Sequence, residues 1–298
     1  MPTYRSFAKV NLHLEVVRRR DDGFHELRTI FSTVDLADEL EIEPAPTGVD
    51  LEVETGDAPG GPANLAHRAA TRFLERWGGL SGVRIRLRKR IPAGGGLGGG
   101  SSNAATTLLA LSELSGRRIP QGELAEMAAE LGADVPFFLT GGRALGLGRG
   151  DRTTPLPDLD PPLSLWLAVP PFALSTAEVF AALPGRRGRE EDPRVRAALE
   201  GRLPATLEEA IGVNDLEEPA FRLRPELGAV YTRLVRSRAR AVRMSGSGST
   251  LFAVFDDPED ARTGGEDLPP GSAWIRVETL GRAAWRSASG FGAIEGGD

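Results

Sequence analysis

The sequence predicts an α+β protein of two domains, residues 1–155 and 156–298. Three observations predict it. Short alternating apolar segments gather in the first half, before and among its helical stretches. Residues 151–162 are rich in Pro and Asp and read as a linker. Beyond them the order is strand, helix, helix, strand, strand, helix, strand, which suggests a roughly ferredoxin-like α/β sandwich.

The first domain opens on a strand over residues 4–17, with Phe7, Val10, Leu12, Leu14 and Val16 as its apolar positions. Lys9 and Asn11 stand two apart, so they share one face of that strand. They are a polar pair if the face lines a cleft and a solvated edge if it does not. Arg18 to Gly23 reads as a charged turn. Further strands are expected at 28–35, 39–43 and 50–54, and the short connections favour antiparallel pairing. Asn64 caps a helix over Leu65–Trp77, and Gly78-Gly79 ends it.

Next comes Val83-Arg84-Ile85-Arg86-Leu87-Arg88, an alternating strand. It runs into Pro92-Ala93-Gly94-Gly95-Gly96-Leu97-Gly98-Gly99-Gly100-Ser101-Ser102, in which six of eleven residues are Gly. An Ala- and Leu-rich helical pattern follows from Asn103, with Ser101, Ser102 or Asn103 as candidate N-caps. Glycines let an anion approach the backbone, and a helix start offers free N–H groups and a positive dipole end. The stretch is therefore a candidate phosphate cradle. It is not a dinucleotide fingerprint: G-x-G-x-x-G fits, but the acidic residue expected about 20 positions on falls inside the helix pattern. It is not a P-loop either, because Gly100 stands where Lys is required. A helix over 121–131 stops at Gly132. Asp134 follows, a lone carboxylate that suits either a turn or a site. Residues 143–147 supply a last strand.

In the second domain, strands are expected at 163–169, 239–244, 250–255 and 273–279. Helices are expected at 175–182, 195–199, 225–237 and 258–266. Residues 185–193 read as charged loop. Ser245-Gly246-Ser247-Gly248-Ser249 is a second small-residue loop, and the end from Ser287 reads as frayed.

Composition excludes several classes. There is no Cys, hence no disulfide and no thiolate site. A net charge of −6 argues against general nucleic-acid binding. No apolar run approaches a membrane span and no signal-peptide core is present, so a cytoplasmic enzyme is the default. The 36 basic residues include only two lysines, Lys9 and Lys89, both in segments already singled out.

Three segments, around Lys9-Val10-Asn11, residues 92–104 and residues 244–250, together resemble the GHMP kinase superfamily, which phosphorylates small alcohols with ATP. Pro92, Gly96-Leu97-Gly98 and Ser101-Ser102 match its P-x-x-x-G-L-G-S-S-x-A signature with extra glycine inserted. The resemblance runs from about residue 7 to 255. It narrows at Asp22-Gly23-Phe24-His25-Glu26-Leu27, Gly132-Ala133-Asp134-Val135-Pro136 and Asn214-Asp215-Leu216-Glu217. These look like the branch that acts on a cytidine diphosphate-linked methylerythritol on the non-mevalonate route to isoprenoids. Phe24 departs from that branch, which usually carries Tyr there; stacking survives the change and a phenol hydrogen bond does not.

The resemblance implies an N-terminal ribosomal-protein-S5-domain-2-like domain that binds ATP, a ferredoxin-like C-terminal domain, and a cleft between them. Pro92, Ala93, Gly94, Gly95, Gly96, Leu97, Gly98, Gly99, Gly100, Ser101 and Ser102 would hold the ATP phosphates. Asn64, Leu65 and Lys89 would sit near the adenine. Asp134 would take the proton of the substrate hydroxyl, with Lys9 paired to it, and Asn11 would orient the alcohol. Phe24, Phe31 and Phe180 would stack on the cytosine and His25 would read its edge. The serine loop would close on the cleft. Mg²⁺ is expected, with no protein ligand identified. The partners implied are small molecules only, with no nucleic acid and no membrane, and the chain is a monomer or homodimer. The rivals are a homoserine- or mevalonate-type kinase of the same superfamily, and a non-catalytic nucleotide-binding module.

Overall fold

The computed structural model describes residues 2–184, 191–202, 204, 206–266 and 268–291. The first lobe is a twisted sheet covered on one face by helices. Its strands are β1 (Thr3–Arg19), β2 (His25–Pro44), β3 (Gly48–Thr55), β4 (Gly82–Arg88), β5 (Arg143–Gly148) and β6 (Arg152–Leu156). Helices α1 (Leu65–Trp77), α2 (Gly99–Leu114) and α3 (Gln121–Leu131) pack on it. Phe73, Leu108, Leu111 and Met127 meet Phe7, Leu40, Ile85 and Leu87 in one core.

β2 is the axis of this lobe. β1 pairs along one edge of it, while β5, β10 (Ala273–Leu280) and β4 share the other edge in turn. The strands expected at 28–35 and 39–43 are therefore one strand. The apparent break between them is Asp38, a fully buried carboxylate that accepts the N–H groups of Arg90 at 2.7 Å and Ile91 at 2.8 Å. The expected antiparallel pairing fails at β3, which lies parallel to β4. Helix α1 stands between those two strands and provides the crossover that a parallel pair needs. The stretch expected as linker contains β6, which pairs with β5.

The second lobe is an antiparallel sheet in the order β10-β7-β9-β8, with β7 (Ser164–Val169), β8 (Ala241–Met244) and β9 (Leu251–Val254). That order is the ferredoxin-like arrangement. Helices α4 (Thr176–Ala181), α5 (Pro193–Leu199), α6 (Leu207–Ala210), α7 (Glu217–Leu223), α8 (Pro225–Arg236) and α9 (Pro258–Glu266) complete the lobe. Within the loop expected at 185–193, residues 185–190 lie outside the described ones, and Pro193 already opens α5. β10 also pairs with β2 at Thr279 and Leu280, so the two sheets are continuous.

Of the stretch expected as frayed from Ser287, residues 292–298 lie outside the described ones, and residues 287–289 belong to a helix. Helix α10 (Arg282–Ser289) crosses back and buries Trp285 in the first lobe's core, and Phe291 stacks on Tyr4 at 4.9 Å. These residues, which follow the boundary expected at 155/156, pack on the first lobe.

Candidate active site

A cleft of about 900 Å³ runs along β1 and β2 between the lobes. Its lining follows from a change of parity in β1. Lys9 and Asn11 face the cleft; a bulge between Asn11 and His13 then shifts the alternation, so Leu14, Val16 and Arg18 face it next. The same bulge turns His13 and Glu15 to the opposite side, where both are fully buried.

Lys9 is 2% exposed, and its Nζ lies 3.5 Å from Asp134 Oδ2. Nζ also donates to Asn11 Oδ1 at 2.5 Å. Asn11 Nδ2 donates to Thr29 Oγ1 at 2.8 Å, and that hydroxyl donates to the His13 carbonyl at 2.7 Å. Asn11 is thereby fixed with its oxygen on the ammonium. Asp134 sits in the turn after α3, with its side chain 35% exposed, open to the cleft. A strand and a turn more than a hundred residues apart thus place a cation and a carboxylate side by side.

A second cavity of about 360 Å³ adjoins the first and is lined by the glycine stretch from Pro92 to Ser101, together with Asn64, Leu65 and Lys89. Gly96 and Gly98 line both cavities. Helix α2 begins at Gly99, four residues before the expected start, and its N-cap is Gly98 in the left-handed region rather than Ser101, Ser102 or Asn103. The first rung of its ladder is the Ser102 N–H to the Gly98 carbonyl at 2.8 Å. The N–H groups of Gly99, Gly100 and Ser101 precede that ladder at the end lining the smaller cavity. Ser102 lies elsewhere: it is 2% exposed and its hydroxyl accepts from Ser6 at 2.7 Å, so it braces the helix instead of lining the cavity.

Gly96 has φ +74°, and a Cβ there would lie 2.1 Å from the Ser245 carbonyl oxygen. This closeness reflects the serine loop of residues 245–249, which docks on the glycine loop. Ser245 Oγ donates to the Gly96 carbonyl at 2.9 Å, and the Thr250 N–H to the Gly95 carbonyl at 3.1 Å. Asn214 holds the serine loop in turn, donating to the carbonyls of Met244 at 2.7 Å and Gly246 at 2.8 Å. Glu217 accepts the Met244 N–H at 2.9 Å, and burial pushes its carboxyl up to about 7.

Lys89 is paired with buried Asp38, which also accepts from Asn103 at 2.9 Å. Its charge is met from below. Asn64 spends its side chain on Ala66 N–H and the Pro59 carbonyl, so it shapes the wall rather than offering a free group.

At the far end of the larger cleft, His25 and Phe180 stack at 5.0 Å and Phe24 is 54% exposed. Burial, helped by the nearby Arg19 charge, holds the His25 imidazole below its ordinary pKa. Phe31 differs from its expected stacking role. It is 1% exposed, its ring is stacked on Phe137 at 4.9 Å, and Lys9 Nζ lies 5.6 Å from its centroid. It forms the floor under the ammonium. Sequence reasoning missed Thr29, Asp38 and Arg149, while Ser247, which lines the larger cleft, belongs to the serine loop expected to close on it; Asp38 lies in the gap left between two expected strands.

Among the described residues, His13, Glu15 and Asp192 offer ligand atoms within 4.8 Å of one another. His13 Nδ1 accepts the Val213 N–H at 3.3 Å, so the ring proton sits on Nε2, 3.6 Å from Glu15 Oε2. A nitrogen that keeps its proton is no ligand. Arg28 and Arg194 already meet the two carboxylates, and the group ties β1 to the second lobe as a buried ion cluster.

Comparison with known proteins identifies the family. The profile described as GHMP kinases N terminal domain matches residues 64–142, and that of the GHMP kinases C terminal matches 195–269. A 4-diphosphocytidyl-2-C-methyl-D-erythritol kinase of Moorella thermoacetica is 43% identical over 265 residues, 87% of this chain and 92% of that protein. A crystal structure of a 4-(cytidine 5'-diphospho)-2C-methyl-D-erythritol kinase superposes with a TM-score of 0.76 at 40% identity, covering 94% of this chain and 99% of the other. A homoserine kinase of Cytophaga hutchinsonii shares the fold at 21% identity and a TM-score of 0.68, covering 94% and 95%.

Proposed function

Because the chain belongs to the GHMP kinase family, and within it to the 4-diphosphocytidyl-2-C-methyl-D-erythritol kinases, we propose that its paired cavities transfer the γ-phosphoryl group of ATP to the 2-hydroxyl of 4-diphosphocytidyl-2-C-methyl-D-erythritol. The enzyme serves non-mevalonate isoprenoid precursor synthesis. The observation that carries the assignment of roles is the Lys9–Asp134 pair at 3.5 Å, in the larger cavity beside the glycines that both cavities share.

ATP lies with its phosphates on the backbone N–H groups at the start of α2, and its adenine toward Asn64, Leu65 and Lys89. The acceptor lies along β1 and β2, with its cytosine at Phe24, His25 and Phe180 and its hydroxyl at Asp134. Asp134 takes the hydroxyl proton as the oxygen attacks the γ-phosphorus. The bond from that phosphorus to the β–γ bridging oxygen breaks, and ADP leaves with the bond electrons. Lys9 faces the charge that moves. Asn11, anchored by Thr29, holds Lys9 in place and orients the alcohol. The serine loop, held by Asn214, keeps the second lobe against the glycine loop.

Mg²⁺ fits this site in one way. Among the described residues, the acidic ones lining the two cavities are Asp57 and Asp134, on different segments, so these residues offer no carboxylate cage. The phosphate oxygens and water would hold most of its coordination, with the Ser101 hydroxyl within the same cavity. The ion would supply neutralisation of the phosphate charge. A cytoplasmic monomer or homodimer accords with this reading, and no described helix is long and apolar enough to cross a membrane.

The test is ADP release in the presence of ATP, Mg²⁺ and each of three acceptors. Turnover is expected with the cytidyl methylerythritol substrate and at background with homoserine and mevalonate. No ADP above background with the cytidyl substrate overturns the assignment.

A further inference from the structure

Phe24 poses a physical problem. It is a ring 54% exposed at the mouth of the cleft, and it lacks a hydroxyl to tether it. An exposed side chain that must stand ready for a base loses binding energy when it has to be ordered first. The backbone around it is firm. Asp22 accepts the Phe24 N–H at 3.1 Å, and Arg20 joins Asp22 to Glu26 through bonds of 3.0 and 2.9 Å. The ring itself is held by a different segment.

Arg149 follows β5, and its guanidinium carbon lies 5.1 Å from the Phe24 ring centroid. That guanidinium is itself clamped. Nε and Nη2 donate to Asp151 Oδ2 at 2.9 and 2.8 Å, and the Arg149 N–H reaches Asp151 Oδ1 at 3.1 Å. Nη2 also reaches the Ala129 carbonyl at 3.5 Å, in the last turn of α3. Arg149 and Phe24 both line the larger cleft. A planar cation pinned by a carboxylate and lying over an aromatic face is a cation–π brace.

We propose that Arg149 is a positioning residue: clamped by Asp151, it holds the Phe24 ring on one face and leaves the other to the base of the substrate. The role rests on the reading of the Phe24, His25 and Phe180 end as the cytosine site. Arg149 acts through the ring and not on the substrate's phosphates.

A double-mutant cycle tests this. Arg149→Met is expected to raise the KM and the Kd for the cytidyl substrate about 3- to 5-fold, the scale of an exposed cation–π contact. The kcat and the KM for ATP should stay within about two-fold, and Arg149→Lys should recover part of the loss. In a Phe24→Leu background the same substitution should change the substrate KM by less than about 1.5-fold, because no ring remains to hold. Thermal melting of each variant checks that the fold is kept; Phe24 is exposed enough for its variant to fold. An equal Arg149→Met effect in both backgrounds means direct contact with the substrate and overturns the proposal, as does no effect in either. If the parent enzyme itself shows no turnover of the cytidyl substrate, the base site fails and the brace with it, an outcome seen before any variant is made.

Discussion

The backbone N–H of Lys9 donates to the Leu97 carbonyl at 3.0 Å, so the strand that presents the ammonium also anchors the glycine loop. Position and charge are thus separable at this residue. Lys9→Met keeps the backbone bond and most of the stem and removes the cation. It is expected to lower kcat by about 10²–10³-fold while ATP affinity changes little. Steady-state kinetics beside nucleotide titration checks this. An equal loss of ATP binding would mean that the ammonium holds the nucleotide and not the moving charge.

Asp134 is the proposed proton acceptor, and it is open to the cleft beside Lys9. Asp134→Asn preserves its shape and removes its basicity. Turnover should fall by about 10²–10⁴-fold with ATP binding nearly kept. A variant within a few-fold of the parent would show that the carboxylate is not the base.

At Gly96 the glycine loop of the first lobe lies tight against the serine loop of the second. A Cβ there would meet the Ser245 carbonyl at 2.1 Å and the Gly248 carbonyl at 3.0 Å, on a backbone at φ +74°. Backbone atoms cannot swing aside as a side chain does. Gly96→Ala should push the serine loop off the glycine loop, raise the KM for ATP and lower Tm by several degrees. Unchanged kinetics and melting would mean that the contact between the loops is dispensable.

Glu217 makes stability depend on pH. Burial raises its carboxyl from 4.5 to about 7 in the folded protein. Between those values the folded chain holds a proton that the unfolded chain has released. Stability is therefore greatest at the acid side of this window, falls as pH rises through it, and levels off above about 7. The contribution is at most about 3 kcal/mol. Glu217→Gln can still accept the Met244 N–H but cannot titrate. The difference in Tm between pH 5 and pH 8 should be smaller in that variant. An identical difference in both proteins would remove Glu217 from the account.

Much of this was legible in the sequence, and the residues show why. Lys9 and Asn11 share a strand face by spacing alone, and the glycine run that meets a helix start is the stretch that lines the smaller cavity. The ferredoxin-like order of the second lobe followed from the pattern of apolar runs. The parity switch after Asn11 was not legible, because a bulge depends on the partner strand and leaves no mark in a single segment. Asp38 looked like a break, since a carboxylate inside a strand pattern is ambiguous until its donors, the N–H groups of Arg90 and Ile91, are seen. Arg149 was invisible for the same kind of reason: its partner ring lies more than a hundred positions away. Helix α2 starts early because glycines carry no helical signal, although Gly99 and Gly100 take up helical conformation beside a cavity.

The seat of Trp285 orders events in time. Its indole fills a place against Gly141, where a Cβ would lie 2.3 Å from the ring, and belongs to the core that Phe7 and Leu108 began. A ribosome releases that indole only after β7 to β10 of the second lobe have been made. The first lobe therefore waits, incomplete, through synthesis of the second, and α10 closes a structure that β1 opened.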